Sequence, residues 1–177
     1  MSAPRRYPMA ETGPFPAPPA TSTDREGREI VVDFATNDDL EGLVDMYATF
    51  DPAQRAQGIP PAHPERIEPW LKTVLDDGVH IIASHDGCVI AHAMLVPDSD
   101  GSHELAIFVH QDYQGAGNGR TLIRHLLGAA QVEAIEHIWL TVERWNLPAL
   151  ELYKSVGFET VQADRFDLEM AMSLPGS

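Results

Sequence analysis

Two periods of apolar residues organise this chain. Ile30, Val31, Val32 and Phe34 make a branched run beginning near Glu29, and Thr36 and Asn37 follow it as helix-cap residues, so a strand leads into a helix. Leu40, Leu43, Val44 and Tyr47 then recur at spacings of three and four, which puts them on one helical face. From Asp51 to Pro69 prolines interrupt any period and predict a long loop with short turns, after which Trp70, Leu71, Val74 and Leu75 restore helical spacing. The period falls to two over Val79–Ser84 and Cys88–Val96, joined by His85-Asp86-Gly87 as a tight hairpin, and a turn at 98–102 leads to a strand over His103–Val109. Leu122, Ile123, Leu126, Leu127 and Ala130 stripe a helix over 117–133. A strand at His137–Val142, a helix at Pro148–Ser155 closed by Gly157, and strands near 159–161 and 168–172 complete the pattern. These elements predict an α/β (α+β) domain over 28–177, with a mixed, mostly antiparallel sheet of about six to seven strands and about four helices.

Residues 1–27 carry six prolines and few branched apolar side chains, so they cannot offset their own ordering entropy and are expected to form a disordered tail. The 177 residues suffice for one domain with its own core. A net charge of −15 argues against a nucleic-acid partner, which needs clustered Lys and Arg. Lys72 and Lys154 are the only lysines, a surface that fits adaptation to high salt as well as an ordinary acidic surface. Cys88 is the only cysteine and reads as a small buried hydrophobe; with no internal disulfide and no membrane-length apolar run, a soluble cytoplasmic protein with no membrane partner is expected. His80, His85, His92, His110, His125 and His137 lack metal-ligand spacing, so no metal is expected.

The stretch Gln114-Gly115-Ala116-Gly117-Asn118-Gly119-Arg120 joins a strand to an amphipathic helix. Glycines there let successive backbone N–H groups converge where the helix dipole is positive, which suits an anion. A Walker loop fails because no lysine follows the last glycine, and a dinucleotide fingerprint fails because Arg120 stands where its third glycine belongs. A glycine-rich turn that merely connects two elements is the remaining alternative.

The loop's surroundings weigh against that alternative. The segment from Glu104 to Tyr113 followed by Gln114-x-x-Gly117-x-Gly119 resembles motif A of the GNAT superfamily of N-acetyltransferases. Downstream, Ile138-Trp139-Leu140-Thr141-Val142, Asn146, and the run from Ala149 through Tyr153 and Gly157-Phe158 to Glu159 resemble motif B, in the family's order. The likeness implies the GNAT fold, acetyl-CoA as co-substrate, and direct transfer to an amine acceptor, either a small molecule or a protein amino group; a homodimer is compatible with it. It further implies that the backbone of Ile107, Phe108 and Val109 pairs with the pantetheine arm. Gln114, Gly115, Ala116, Gly117, Asn118, Gly119 and Arg120 would surround the pyrophosphate, Asn146 would contact the cofactor, and Tyr153 would face both cofactor and departing thiolate. The acceptor side would be built from the first helices and the segment 51–70, including the apolar turn Gln57-Gly58-Ile59-Pro60-Pro61.

Deprotonating an alkylamine at neutral pH costs roughly 4 to 5 kcal/mol, so a base is useful. Glu104 and His103 both have suitable chemistry, but neighbours on a strand point to opposite faces, and a water chain remains a third route. The family's protein N-terminal acetyltransferases include some with a glutamate where this chain has Thr141, so their base does not carry over. The developing oxyanion needs a donor exposed where two strands part, and the resemblance implies the Val109 N–H for it. Plain structural roles also fit Tyr153 as a core residue, Trp139 as core, and Asn146 as a helix cap that contacts cofactor as well. Beside a transferase, the same fold could serve as a non-catalytic acyl-CoA sensor or as a purely structural domain.

Overall fold

The computed structural model describes residues 4–55 and 59–176. Eight strands form one sheet: β1 (Ala20–Thr23), β2 (Glu29–Phe34), β3 (Val79–His85), β4 (Cys88–Pro97), β5 (His103–Val109), β6 (His137–Glu143), β7 (Glu159–Ala163) and β8 (Asp167–Ser173). Their spatial order is β1-β2-β3-β4-β5-β6-β8-β7, and the β5–β6 pair is parallel whereas its fellows are antiparallel. Among the described residues the α-helices are α1 (Leu40–Ala48), α2 (Ile67–Val74), α3 (Asn118–Val132) and α4 (Leu147–Val156).

Alternation along the strands divides the core in two. Leu105, Ile138, Leu140, Met170 and Met172 face the cluster filled by Leu122, Ile123, Leu126 and Leu127 of α3. Ile82, Met94 and Phe108 face the opposite cluster with Leu43 and Tyr47 of α1 and Leu71 of α2. Local signals set the helix ends: the Thr36 hydroxyl accepts from the Asp38 N–H, Asn146 Oδ1 accepts from the Ala149 N–H at 3.3 Å, and Gly157 closes α4 at φ 116°.

Two expectations are corrected. Residues 4–27 are not a disordered tail: β1 lies within them and pairs with β2, which raises the sheet to eight strands. Their stabilisation comes from surfaces elsewhere in the chain. Tyr7 stacks on His137 at 4.4 Å, the Phe15 N–H donates to Gln131 at 2.8 Å, and a Cβ on Gly128 would collide with the Pro16 carbonyl. The prolines lower the entropy that such docking must overcome. Cys88, expected to be buried, is exposed, because it opens β4 at the hairpin and pairs with His85 at the sheet's end.

Candidate active site

The parallel pair β5–β6 is joined only at His103↔Ile138 and Glu104↔Trp139. Beyond that rung the strands part, while β4 and β8 continue to hold their outer edges along the full length. The result is a wedge between the inner edges. Backbone direction along β5 follows from the His110 N–H donating to the Ile90 carbonyl at 2.9 Å on the β4 side. Alternation then turns Phe108 toward β4 and turns Ile107 and Val109 toward the wedge. On β6, the Leu174 N–H bonds the Glu136 carbonyl on the β8 side, so Thr141 and Glu143 turn their amides inward. Of the expected trio, Ile107 turns its backbone groups and Val109 its N–H into the wedge, whereas Phe108 is spent on β4 and its ring is buried near α1 and α2.

At the wide end of the wedge lies the glycine-rich loop. Gly115 and Gly117 adopt φ 74° and 88°, a region glycine enters without strain, and Gly117 begins α3. No N–H from Gly115 to Arg120 has a hydrogen-bond partner among the described residues; the first helical bond of α3 is Thr121 to the Gly117 carbonyl at 3.2 Å. Gly119 keeps the helix close, since a Cβ there would meet Leu152 of α4 at 3.4 Å and Val109 at 3.9 Å. The side chains around these amides are structural. Gln114 donates to the Val109 carbonyl at 2.9 Å, buried Asn118 donates to the Tyr113 carbonyl and to Asp24, each at 3.1 Å, and Ala116 is buried with its carbonyl taken by the Arg25 N–H at 3.0 Å. Arg120 is exposed.

Sequence reasoning missed the contribution of residues 24–28. Arg25 sits over the helix start, its Nε 3.6 Å from where a Gly117 Cβ would stand, with no ion-pair partner among the described residues. Arg28 lies over the Tyr113 ring at 4.2 Å and bonds Asp24 through Nε at 2.8 Å. Desolvation opposes the charge on Asp24, but hydrogen bonds from the Arg28 N–H, Asn118, the Arg28 side chain and the Glu26 N–H hold its carboxyl down to about 2. A hairpin signal was present in Thr21-Ser22-Thr23 followed by Asp24 and Gly27; the proline content before it obscured the strand.

Glu104 and His103 go to opposite faces, as strand alternation requires. Glu104 shares a face with Ala106 and Phe108 on the α1–α2 side, whereas His103 points with Leu105 toward α3 and α4. Burial raises the Glu104 carboxyl, Arg5 opposes the shift, and Asp98 and Glu169 add to it. Burial lowers His103, with Asp98 and Asp77 opposing, and its Nδ1 is buried without a partner among the described residues. Tyr153 packs on the α3–α4 side, 6.0 Å from the Phe158 ring, and burial pushes its phenol up to about 12. Its hydroxyl makes no hydrogen bond among the described residues, so it remains a protonated donor at neutral pH. Asn146 caps α4 and keeps its amide nitrogen free of partners among those residues. Of the apolar turn at 57–61, Gln57 and Gly58 lie outside the described residues. Among the described residues no group of three His, Cys, Asp or Glu is placed to hold a metal, and no helix is long and apolar enough to cross a membrane.

A model of the acetyltransferase (GNAT) family matches residues 41–158. The [ribosomal protein bS18]-alanine N-acetyltransferase of Escherichia coli is 33% identical over 75 residues, 42% of this chain and 51% of that protein, so the chain spans about half the length of that relative. The GNAT domain of S. lividans PAT superposes with a TM-score of 0.75 at 20% identity, covering 88% of this chain and 96% of that one. A Salmonella typhimurium protein described as an acetyltransferase, solved with its cofactor acetyl-CoA, superposes at 0.65 with 21% identity, over 82% and 94% of the two chains. Parted parallel strands, a glycine-opened helix and a family match over two-thirds of the sequence agree, and the chain belongs to the GNAT acetyltransferase family.

Proposed function

We propose that this domain transfers the acetyl group of acetyl-CoA to a primary amine by direct attack. The observation that carries the reading is the run of unpartnered N–H groups from Gly115 to Arg120 at the start of the fifteen-residue helix α3. The first N–H groups of a helix have no partners within it, and here no side chain caps them, so the run is open to a ligand with several acceptor oxygens, and a diphosphate fits. Arg25 and Arg120 add positive charge at the same place in an otherwise acidic chain. The inward amide of Val109 would pair with the pantetheine arm, Asn146 offers its free amide nitrogen, and acetyl-CoA brings an acyl group activated as a thioester.

The side chains divide the remaining work by face. Glu104, at the rung where the wedge closes, takes the proton from the incoming ammonium, directly or through water. The neutral amine then bonds the acetyl carbon, the inward Ile107 N–H, nearer to Glu104 than Val109 is, meets the oxygen that becomes negative, and the nitrogen sheds its second proton to water as the carbon–sulfur bond breaks. Tyr153, from the opposite face, donates its hydroxyl proton or a hydrogen bond to the departing sulfur. The products are an amide and coenzyme A. His103 points away from the Glu104 face and is the weaker candidate base.

Mass spectrometry of a panel of small amines and peptide amino termini, incubated with protein and acetyl-CoA, tests the reading. A mass gain of one acetyl group on at least one acceptor, lost in Glu104→Gln, is expected. Binding of acetyl-CoA without any acetylated product would favour a cofactor-sensing module, and no binding at all would reject both.

A further inference from the structure

On the α1–α2 side of the sheet, what lies over β6 and β8 is the segment Arg5–Pro8. Trp139 is paired with Glu104 on the last rung before the strands part, and both side chains lie on this same face. The Arg5 guanidinium stands 3.5 Å above the centre of the Trp139 ring, donates to Glu169 Oε1 at 3.1 Å, and lies 4.0 Å from Asp98 Oδ2. Arg5 thus touches Asp98 and Glu169 on the same face as the carboxylate assigned as the base, above the tryptophan paired with it.

The seat is built without help from Arg5. The Trp139 indole N–H donates to Asp98 Oδ2 at 2.9 Å, and the N–H groups of Asp100 and Ser102 donate to its other oxygen at 2.8 and 3.1 Å, so carboxylate and ring are fixed relative to each other. The occupant fits the seat imperfectly. Arg5 Nε is buried with no hydrogen-bond partner among the described residues, although Glu169 and the neighbouring Tyr7 hydroxyl support the charge of the guanidinium. The Ser173 hydroxyl to the Pro8 carbonyl at 2.6 Å and Tyr7 stacked on His137 anchor the stretch that follows. With Arg5 lifted away, Asp98, Glu104 and Glu169 would face one another around an aromatic floor, an arrangement that takes up a compact cation.

We propose that residues 5–8 form an autoinhibitory strap in which Arg5 holds the seat of a cationic amine acceptor beside Glu104. This rests on the assignment of the Glu104 face as the acceptor side. An alkylamine in neutral solution arrives as an ammonium ion, so it brings the charge that Arg5 supplies in the free protein. The acceptor displaces the guanidinium, keeps its contacts with Trp139 and the acids, and stands next to the group that removes its proton. The acceptor class is therefore a positively charged alkylamine with little bulk around nitrogen, and acceptors that carry negative charge near the amine are rejected.

Ethylguanidinium is a suitable probe, because it has the cation but no primary amine to acetylate. Its binding is read by the fluorescence of Trp139, with Trp139→Phe as the control that removes the signal. Arg5→Ala should bind the probe roughly tenfold more tightly than the native chain, as expected for losing a competitor held by a cation–π contact and a partly exposed ion pair. The same variant should lower KM for cationic acceptors by a similar factor with kcat and the Kd for acetyl-CoA unchanged, while Arg5→Lys restores native behaviour. Equal probe affinity in Arg5→Ala and native protein, or a signal that survives Trp139→Phe, overturns the proposal. Should Arg5→Ala fail to fold, tryptic cleavage after Arg5 and Arg6 in the native chain decides: the probe should accelerate it, and an unchanged rate overturns the strap. Failure of acetyl transfer to every amine would remove the transferase reading but leave the probe result standing, so the two are separable.

Discussion

Arg25 offers the sharpest perturbation of the anion site, because its side chain carries charge to the loop without shaping it. Its backbone N–H holds the Ala116 carbonyl, and substitution of the side chain leaves that bond in place. The guanidinium is exposed and its nearest atom lies 3.6 Å from the Cβ position of Gly117. A phosphate oxygen held by the adjacent N–H groups would then be about 5 Å from the charge, worth roughly 0.8 kcal/mol in water-like surroundings, or about a fourfold change in affinity. Arg25→Ala should weaken acetyl-CoA binding by about that factor, and Arg25→Glu, which reverses the charge, by roughly fifteenfold, if the two halves add. Isothermal titration calorimetry at two salt concentrations reads both. Because the Debye length falls to about 3 Å at 1 M salt, the difference between variants and native protein should shrink there. Unchanged affinity in Arg25→Glu at low salt would refute the placement of the phosphates over Gly117.

Other consequences concern the reacting groups and the core. Glu104→Gln should remove most of the turnover and flatten the acidic limb of the kcat/KM profile; because burial raises this carboxyl, the native limb should lie above the usual carboxylate range, and a native-like profile in the variant would exclude Glu104 as base. The same substitution should leave stability at neutral pH intact or improved, since a carboxyl raised in the fold is stabilising only while protonated. Tyr153→Phe should lower kcat by about tenfold or more with little change in the Kd for acetyl-CoA; equal loss in both would return Tyr153 to a packing role. His92 is fully buried in a chain that runs from the Tyr47 hydroxyl to His92 Nδ1 at 2.7 Å, from His92 Nε2 to His80 Nδ1 at 3.0 Å, and from His80 Nε2 to the Asp77 carbonyl at 2.8 Å. The terminal carbonyl makes each ring a neutral donor in one direction. Burial, with the neighbouring His80 charge, pushes His92 down to about 3, so the unfolded chain binds a proton that the fold refuses. Stability should therefore be full above pH about 6.5 and fall toward pH 3, by up to about 1.4 kcal/mol per pH unit from this group; urea unfolding at pH 5 and 7 checks it, and a pH-independent midpoint contradicts it.

The sequence made the motif-bearing half legible because its signals are local. Alternation in Val79–Val96 and His103–Val109 gave the meander, and Gly117 with the stripe from Leu122 to Ala130 gave the loop and its helix. The same alternation foretold that Glu104 and His103 part company across β5. What could not be read depends on partners distant in sequence. Nothing near Arg5 announces Trp139 and Glu169, about 130 and 160 residues away, and proline-rich composition describes a segment that cannot build a core without saying that it can dock on one. The parting of β5 and β6 was likewise hidden, since each strand has ordinary strand residues and the wedge exists only in how their outer neighbours hold them.

Backbone amide signals of Gly115–Arg120, followed by nuclear magnetic resonance during titration with acetyl-CoA, test the main claim at the atoms concerned. These N–H groups should shift together and exchange with solvent far more slowly in the complex than in the free protein. Saturable binding that leaves all six unshifted and unprotected would mean that the diphosphate sits elsewhere and that the loop is only a connection.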